Sequence, residues 1–141
     1  MRVVLDTNVL LSACLKPNGL EAQVVTLATE QKITACVTRE IWLEYEEVLL
    51  REKFAAVRSR AEAILRAVGE TSLLVLGGET LSVASDEDDN RFVECAVSAE
   101  AVFLITGNCR HYPAEHGRTR IVNARGFMNL CGLTALPAAL K

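Results

Sequence analysis

The chain has 141 residues, half of them apolar and 23% charged, with a formal net charge of −3. Those values describe a soluble globular chain with a real core, expected to form one domain over residues 1–141, and they do not advertise nucleic-acid binding. Asp6 interrupts the apolar start too early for a signal peptide, and no apolar run approaches the roughly 18 residues of a membrane span. A cytoplasmic protein is therefore expected.

Arg2–Asp6 is a short apolar run ending in an acid, the pattern of a central parallel strand. Asp6-Thr7-Asn8 then turns into a short apolar helix, Val9–Leu15, stopped by Lys16-Pro17-Asn18-Gly19. Leu20–Gln31 reads as a second helix, with Val24, Leu27 and Ala28 at helical spacing, and Ile33–Val37 as a second strand. Thr38 is placed to cap a helix over Arg39–Lys53 whose apolar stripe is Ile41, Tyr45, Val48 and Leu49. Among its acids, Glu47 has Arg51 one turn on, a plain surface pair. Glu44 instead lies about 40° from Val48 on a wheel of about 100° per residue, so it has a reason to face inward. A helix over Ala55–Gly69, a strand over Ser72–Leu76 and a loop at Gly77-Gly78-Glu79-Thr80 follow.

Ser85–Asn108 organises the rest. Asp86, Glu87, Asp88 and Asp89 open an amphipathic helix that runs to Glu100, and Ser85 with Asp88 has the spacing of a capping box. Asp89 shares a helical face with Phe92, Val93 and Ala96, so it heads the inward stripe, while Glu87, Glu94 and Asp88 turn outward. Acids at a helix start complement its N–H groups and dipole, which accounts for Ser85, Asp86 and Glu87. It does not account for a carboxylate on the apolar face, where burial disfavours charge. Val102–Ile105 is the next strand, ending at Thr106-Gly107-Asn108. Arg110–Thr119 reads as a polar loop and Arg120–Asn123 as a last strand, with Asn123 capping a helix over Ala124–Cys131. The tail Leu133–Lys141, with Pro137, gives no clear element.

Strands alternating with helices mean βαβ units and a mostly parallel sheet, and ligands bind such sheets beyond the carboxyl ends of the strands. Asp6, Asn108 and the Thr38-to-Glu44 segment all follow strand ends, and Asp89 joins them if its helix leans over the same edge. Clustered carboxylates repel unless protonated or held by cations, and an oxygen-only set suits Mg²⁺ or Mn²⁺. Such an ion activates water and stabilises phosphoryl charge, the logic of metal-dependent nucleases and phosphatases. No Ser/His/Asp set, phosphate-binding loop or G-x-G-x-x-G competes. Five scattered cysteines without a C-x-x-C pair, and His111 and His116 in one loop without an evident partner, argue against structural zinc. Cys109 and His111 lie in a turn and are better read as structural than reactive. Basic residues gather at Arg51–Arg66 and Arg110–Arg125, as solvated faces or phosphate contacts.

With these residues in place, Val4-Leu5-Asp6-Thr7-Asn8-Val9-Leu10, Glu44-Tyr45, Asp86–Phe92 with Ala96, and Leu104–Asn108 with Arg110-His111 resemble the PIN-domain family. Within it the chain is similar to the PIN-type toxins of bacterial toxin–antitoxin pairs, over nearly its whole length. The resemblance implies a three-layer α/β/α fold around a mostly parallel sheet of about five strands. It implies Mg²⁺/Mn²⁺-dependent cleavage of RNA, a protein antitoxin that blocks the acidic pocket, and frequent homodimers. Asp6, Glu44 and Asp89 match the metal-binding acids, and Asn108 stands where many members have a fourth. Thr7, Asn8 and Thr106 match polar positions beside the site, with Asp86 as a further supporting acid, and Arg110, Arg118 and Arg120 are candidates for RNA phosphates. Thr106 is expected to bond a carboxylate, a bound water or a strand-end backbone group. The alternatives are a degenerate, non-catalytic PIN-like module that binds RNA or a protein, and a haloacid-dehalogenase-like phosphatase. The latter wants an acid where Asn8 stands.

Overall fold

A computed structural model describes residues 1–77 and 80–132. The expected loop at 77–80 therefore lies partly, and the tail at 133–141 wholly, outside the described residues. Five strands run parallel: β1 (Arg2–Leu5), β2 (Thr34–Val37), β3 (Leu73–Leu74), β4 (Phe103–Ile105) and, after a short strand β5 (Glu115–His116), β6 (Thr119–Val122). Their order is β3-β2-β1-β4-β6-β5, and only β5 pairs antiparallel, with β6. The helices flanking the sheet are α1 (Thr7–Leu15), α2 (Leu20–Thr29), α3 (Arg39–Leu49), α4 (Arg58–Thr71), α5 (Asn90–Ala99) and α6 (Ala124–Leu130).

The apolar run of β1 is explained by its position. Val3, Val4 and Leu5 are all buried because β1 has a partner on each side, in register Val3↔Ala35 with β2 and Val3↔Phe103, Val4↔Leu104 and Leu5↔Ile105 with β4. From β1 the chain builds outward through β2 to β3, then returns to place β4 on the other flank. The order therefore reverses between β1 and β4. That leaves a crevice beyond their carboxyl ends, the place where open α/β sheets bind ligands.

The capping expectations hold at two helices. Thr38 Oγ1 accepts from Ile41 N at 3.2 Å, and Asn123 Oδ1 from Gly126 N at 2.7 Å. At α3 the expected stripe is inside, with Ile41, Tyr45 and Leu49 buried. The Tyr45 hydroxyl donates to Leu5 O at 2.5 Å, which ties α3 to the end of β1.

Several boundaries differ from expectation. Helix α1 starts at Thr7, directly after Asp6. Helix α3 stops at Leu49, a 3₁₀ segment fills Glu52–Val57, and α4 starts only at Arg58. Helix α4 then runs through Gly69 to Thr71, and glycine stands there because a β-carbon at 69 would come to 3.0 Å from the Trp42 ring. That glycine serves a close approach, not a helix stop. The expected polar loop 110–119 contains a 3₁₀ turn (Cys109–His111) and a hairpin, with Gly117 at φ +58° in its turn and Glu115 opposite Arg120. The helix at the acidic run is later than the capping box suggests. Asp86 accepts from Asp88 N at 3.0 Å and caps a 3₁₀ turn over Glu87–Asp89, so α5 begins at Asn90. Ser85 is drawn away to the carbonyl of His111.

Candidate metal centre

Asp6 follows β1 directly and is buried. Its Oδ2 accepts two hydroxyl hydrogen bonds, from Thr106 Oγ1 at 2.8 Å and from Tyr112 at 3.0 Å. Thr106 follows β4, so these two residues face each other across the reversal in strand order. Thr106 thus bonds a carboxylate, and it also accepts from Asn108 N at 3.0 Å and Asn8 Nδ2 at 3.4 Å. Asn8 Oδ1 in turn accepts from Gly107 N at 2.8 Å, so its amide fastens the α1 start to the turn after β4.

Glu44 arrives from α3, where the Tyr45 anchor on Leu5 O brings that helix over the β1 end. Thr7 Oγ1 donates to Glu44 Oε2, and Arg91 Nη1 stands 3.4 Å from Glu44 Oε1. Asp89 arrives from the turn before α5. Asn90, itself buried, fixes that turn by accepting from Val83 N at 2.9 Å and Ala84 N at 2.8 Å. The helical wheel separates the neighbouring acids correctly: the Asp89 side chain is 16% exposed, that of Asp88 81%. Asp88 pairs with Arg91 on the surface at 3.5 Å. Glu94, expected to turn outward, is half-buried and accepts from Leu81 N at 2.8 Å.

The electrostatics of the three acids agree in sign. Burial pushes Asp6 above its ordinary value. The Thr106 and Tyr112 hydrogen bonds pull it down, and the Asp89 charge pushes it up. Burial likewise raises Glu44, against the Thr7 hydrogen bond and Arg91, with Asp6 and Asp88 adding to the rise. Asp89 is raised by burial, eased by its hydrogen bond to His111, and raised again by Asp86 and Glu44. Each acid thus feels at least one other of the three, and the half-exposed Arg91 is the one guanidinium paired with any of them among the described residues. Acids that raise one another and are short of positive charge favour a cation nearby, yet among the described residues Asp6, Glu44 and Asp89 do not bring donor atoms within 4.8 Å of one another; the set that does is Asp86, Asp89 and His111.

The structure does not treat all expected residues alike. Asn108 joins through its backbone, while its side chain belongs to an exposed residue at the rim. Arg110 is exposed in the turn beside His111, and Arg118 and Arg120 are exposed on the β5–β6 hairpin. Three groups emerge that sequence reading left without a role: Tyr112 on Asp6, Arg91 on Glu44, and His111, whose Nδ1 lies 3.0 Å from Asp89 Oδ2. Asp86, Asp89 and His111 offer donor atoms within 4.8 Å of one another. The only sequence signal for His111 and Tyr112 was their place just beyond Thr106-Gly107-Asn108, in a loop that must pass the carboxyl edge on its way to β6. All five cysteines are free, and burial pushes the Cys109 thiol up, which supports its structural reading.

Comparison with known proteins bears on the family and the fold. A family model described as PIN domain matches residues 2–110. An uncharacterised protein of Methanocaldococcus jannaschii is 33% identical over 112 residues, covering 77% of this chain and 71% of its own. Among solved structures, VapBC2 from Rickettsia felis bound to a DNA fragment from their promoter matches with a TM-score of 0.59 at 14% identity, over 87% of this chain and 98% of that one.

Proposed function

The chain belongs to the PIN-domain family, and from that premise we propose that it is a metal-dependent endoribonuclease, the toxin of a toxin–antitoxin pair, acting as one domain over residues 1–141. The observation that carries the proposal is that Asp6 at the end of β1, Glu44 on α3 and Asp89 before α5 are buried or half-buried near the strand-order reversal, where Thr106 and Tyr112 bond Asp6, Thr7 bonds Glu44 and His111 bonds Asp89. In this reading the three hold Mg²⁺ or Mn²⁺. When bound, such an ion supplies an activated water and takes up charge on a phosphoryl oxygen.

The remaining residues position and select. Thr106 and Tyr112 keep Asp6 oriented and help it ionise, and Thr7 does the same for Glu44. Asn8 holds the edge together through Gly107, and Asp86 caps the turn that delivers Asp89. Asn108 offers a neutral amide oxygen at the rim as a further ligand. Arg110, Arg118 and Arg120 meet RNA phosphates. A protein antitoxin is the expected partner, and it has a cleft of about 450 Å³ to enter on the Glu44 side of the site, lined by Leu43, Glu44, Val48 and Arg91 among others. A homodimer and a cytoplasmic location complete the reading. No helix among the described residues is long and apolar enough to cross a membrane.

The direct test is purified protein with single-stranded and structured RNA in Mg²⁺, in Mn²⁺ and in EDTA. Cleavage should need the metal and leave 5′-phosphate ends, and cleavage undiminished by EDTA would sink the proposal. The second reading, a non-catalytic module binding RNA or a protein, draws its support from the uncharged Asn108, and its signature is RNA retention without cleavage. The phosphatase reading lacks its acid, since Asn8 is engaged with Gly107 and Thr106.

A further inference from the structure

Asp89 does not face carboxylates alone. His111 Nδ1 lies 3.0 Å from its Oδ2, and Asp86 brings a third donor atom within 4.8 Å of both. Two ligands at right angles on an ion with bonds of about 2.1 Å stand about 3.0 Å apart. The Asp89–His111 separation is thus a hydrogen bond and, equally, the spacing of two adjacent ligands. The backbone of His111 is also held from both sides. His111 N donates to Asn108 O at 3.0 Å, and its carbonyl accepts from Ser85 N at 2.8 Å. Ser85 precedes Asp86, so one clamp fixes the backbone of both donors. Asp86 uses Oδ1 on Asp88 N and is otherwise exposed. Tyr112, next to His111, is buried and bonded to Asp6, which joins this trio to the three-acid site.

We propose that Asp86, Asp89 and His111 form a mixed nitrogen–oxygen position for a divalent ion, so that this edge selects Mn²⁺ or another first-row transition ion over Mg²⁺. The inference rests on the reading of the edge as a metal site, and it adds to the oxygen ligands a neutral imidazole, bound through Nδ1 in place of its hydrogen bond to Asp89. Imidazole suits first-row transition ions, Mn²⁺ the least among them, whereas Mg²⁺ keeps to oxygen and water and dehydrates reluctantly, so a nitrogen donor still tips the site away from Mg²⁺. Asn108, uncharged and at the rim, does not compensate for a missing donor in the way a nitrogen ligand does.

The test uses the full chain, stripped of metal, as wild type, His111→Ala and Asp86→Asn. Calorimetric titrations with MnCl₂ and MgCl₂ are read beside pulsed electron paramagnetic resonance of the Mn²⁺-loaded proteins, which reports a directly bound nitrogen. Wild type should bind Mn²⁺ at least about tenfold more tightly than Mg²⁺ and show nitrogen coupling. His111→Ala should lose the coupling and about tenfold or more in Mn²⁺ affinity, with Mg²⁺ affinity changed by less than about threefold. Asp86→Asn keeps the cap oxygen and should weaken both ions. Absence of nitrogen coupling in Mn²⁺-loaded wild type, or Mn²⁺ binding unchanged by His111→Ala, overturns the inference. If His111→Ala fails to fold by circular dichroism, the wild-type spectrum decides alone. RNA cleavage in Mg²⁺ without nitrogen coupling would remove this inference and leave the nuclease proposal standing. Nitrogen-coupled Mn²⁺ in a protein that cuts no RNA would do the reverse.

Discussion

Tyr112→Phe removes one hydroxyl from a buried ring and leaves the packing almost untouched. What it deletes is a 3.0 Å hydrogen bond to Asp6 Oδ2, leaving Thr106 as the remaining hydroxyl donor to that oxygen. A hydrogen bond to a charged group contributes about 1.5–3 kcal/mol, a neutral one about 0.5–1.5. Burial holds Asp6 above its ordinary value, so its charge in the folded protein, and with it the charged character of the Tyr112 bond, grows as pH rises. The Tyr112 bond pulls that value down, so losing it raises Asp6 further and takes away stability that is present only above the folded pKa. Urea unfolding in EDTA should therefore show a loss of about 1.5–3 kcal/mol at pH 7.5 that shrinks to about 1 kcal/mol at pH 4, with an unchanged m-value. In an Asp6→Asn background the loss at pH 7.5 should fall to the neutral value as well. An equal loss at both pH values, or none at either, would mean that Tyr112 does not act on the Asp6 charge.

Asn90→Ala leaves the N–H groups of Val83 and Ala84 without their acceptor, which should cost about 2 kcal/mol in a urea melt and lower RNA cleavage by displacing Asp86–Asp89. Because Asp6, Glu44 and Asp89 are all raised, the folded protein holds more protons than the unfolded chain from about pH 4 upward, so their contribution to stability falls as pH rises toward 7. Melts of the metal-free protein against an Asp6→Asn/Glu44→Gln/Asp89→Asn triple variant should show that slope flattened in the variant; a parallel profile would contradict it. Asn108→Asp adds charge at almost constant shape and should bind Mn²⁺ more tightly in a calorimetric titration, whereas flat affinity would place Asn108 outside the site.

The parts of this fold that were legible in the sequence rest on strong local physics. An uninterrupted Val-Val-Leu run before Asp6 has few uses besides a central parallel strand, and Thr38 and Asn123 cap as their spacing predicts. The sequence separates Asp89 from Asp88 by a helical angle, and although both lie in a 3₁₀ turn before α5 the structure does bury the first and expose the second. Tertiary contacts decided the rest. Gly69 reads as a helix stop until Trp42 covers it, and Ser85 reads as a cap until the His111 carbonyl claims it. The β5–β6 hairpin lacked any alternation in its two-residue arm, and β3 is reduced to exposed Leu73–Leu74 at an edge. His111 and Tyr112 carry no periodic signal, because their importance comes from where a loop crosses the sheet edge. Arg91 carried no signal in the sequence, and the structure gives it two contacts, Asp88 at the surface and Glu44 beside the site.

The most direct measurement of the central claim is single-turnover cleavage of one defined RNA in Mn²⁺ by wild type, Asp6→Asn, Glu44→Gln and Asp89→Asn, each checked for folding by its melt. The account predicts cleavage by wild type and a loss of at least about a hundredfold in each variant, with metal-free melts as high as wild type or higher. Cleavage by Asp6→Asn at the wild-type rate would contradict it, because the reaction would then not depend on the acid at the centre of the site.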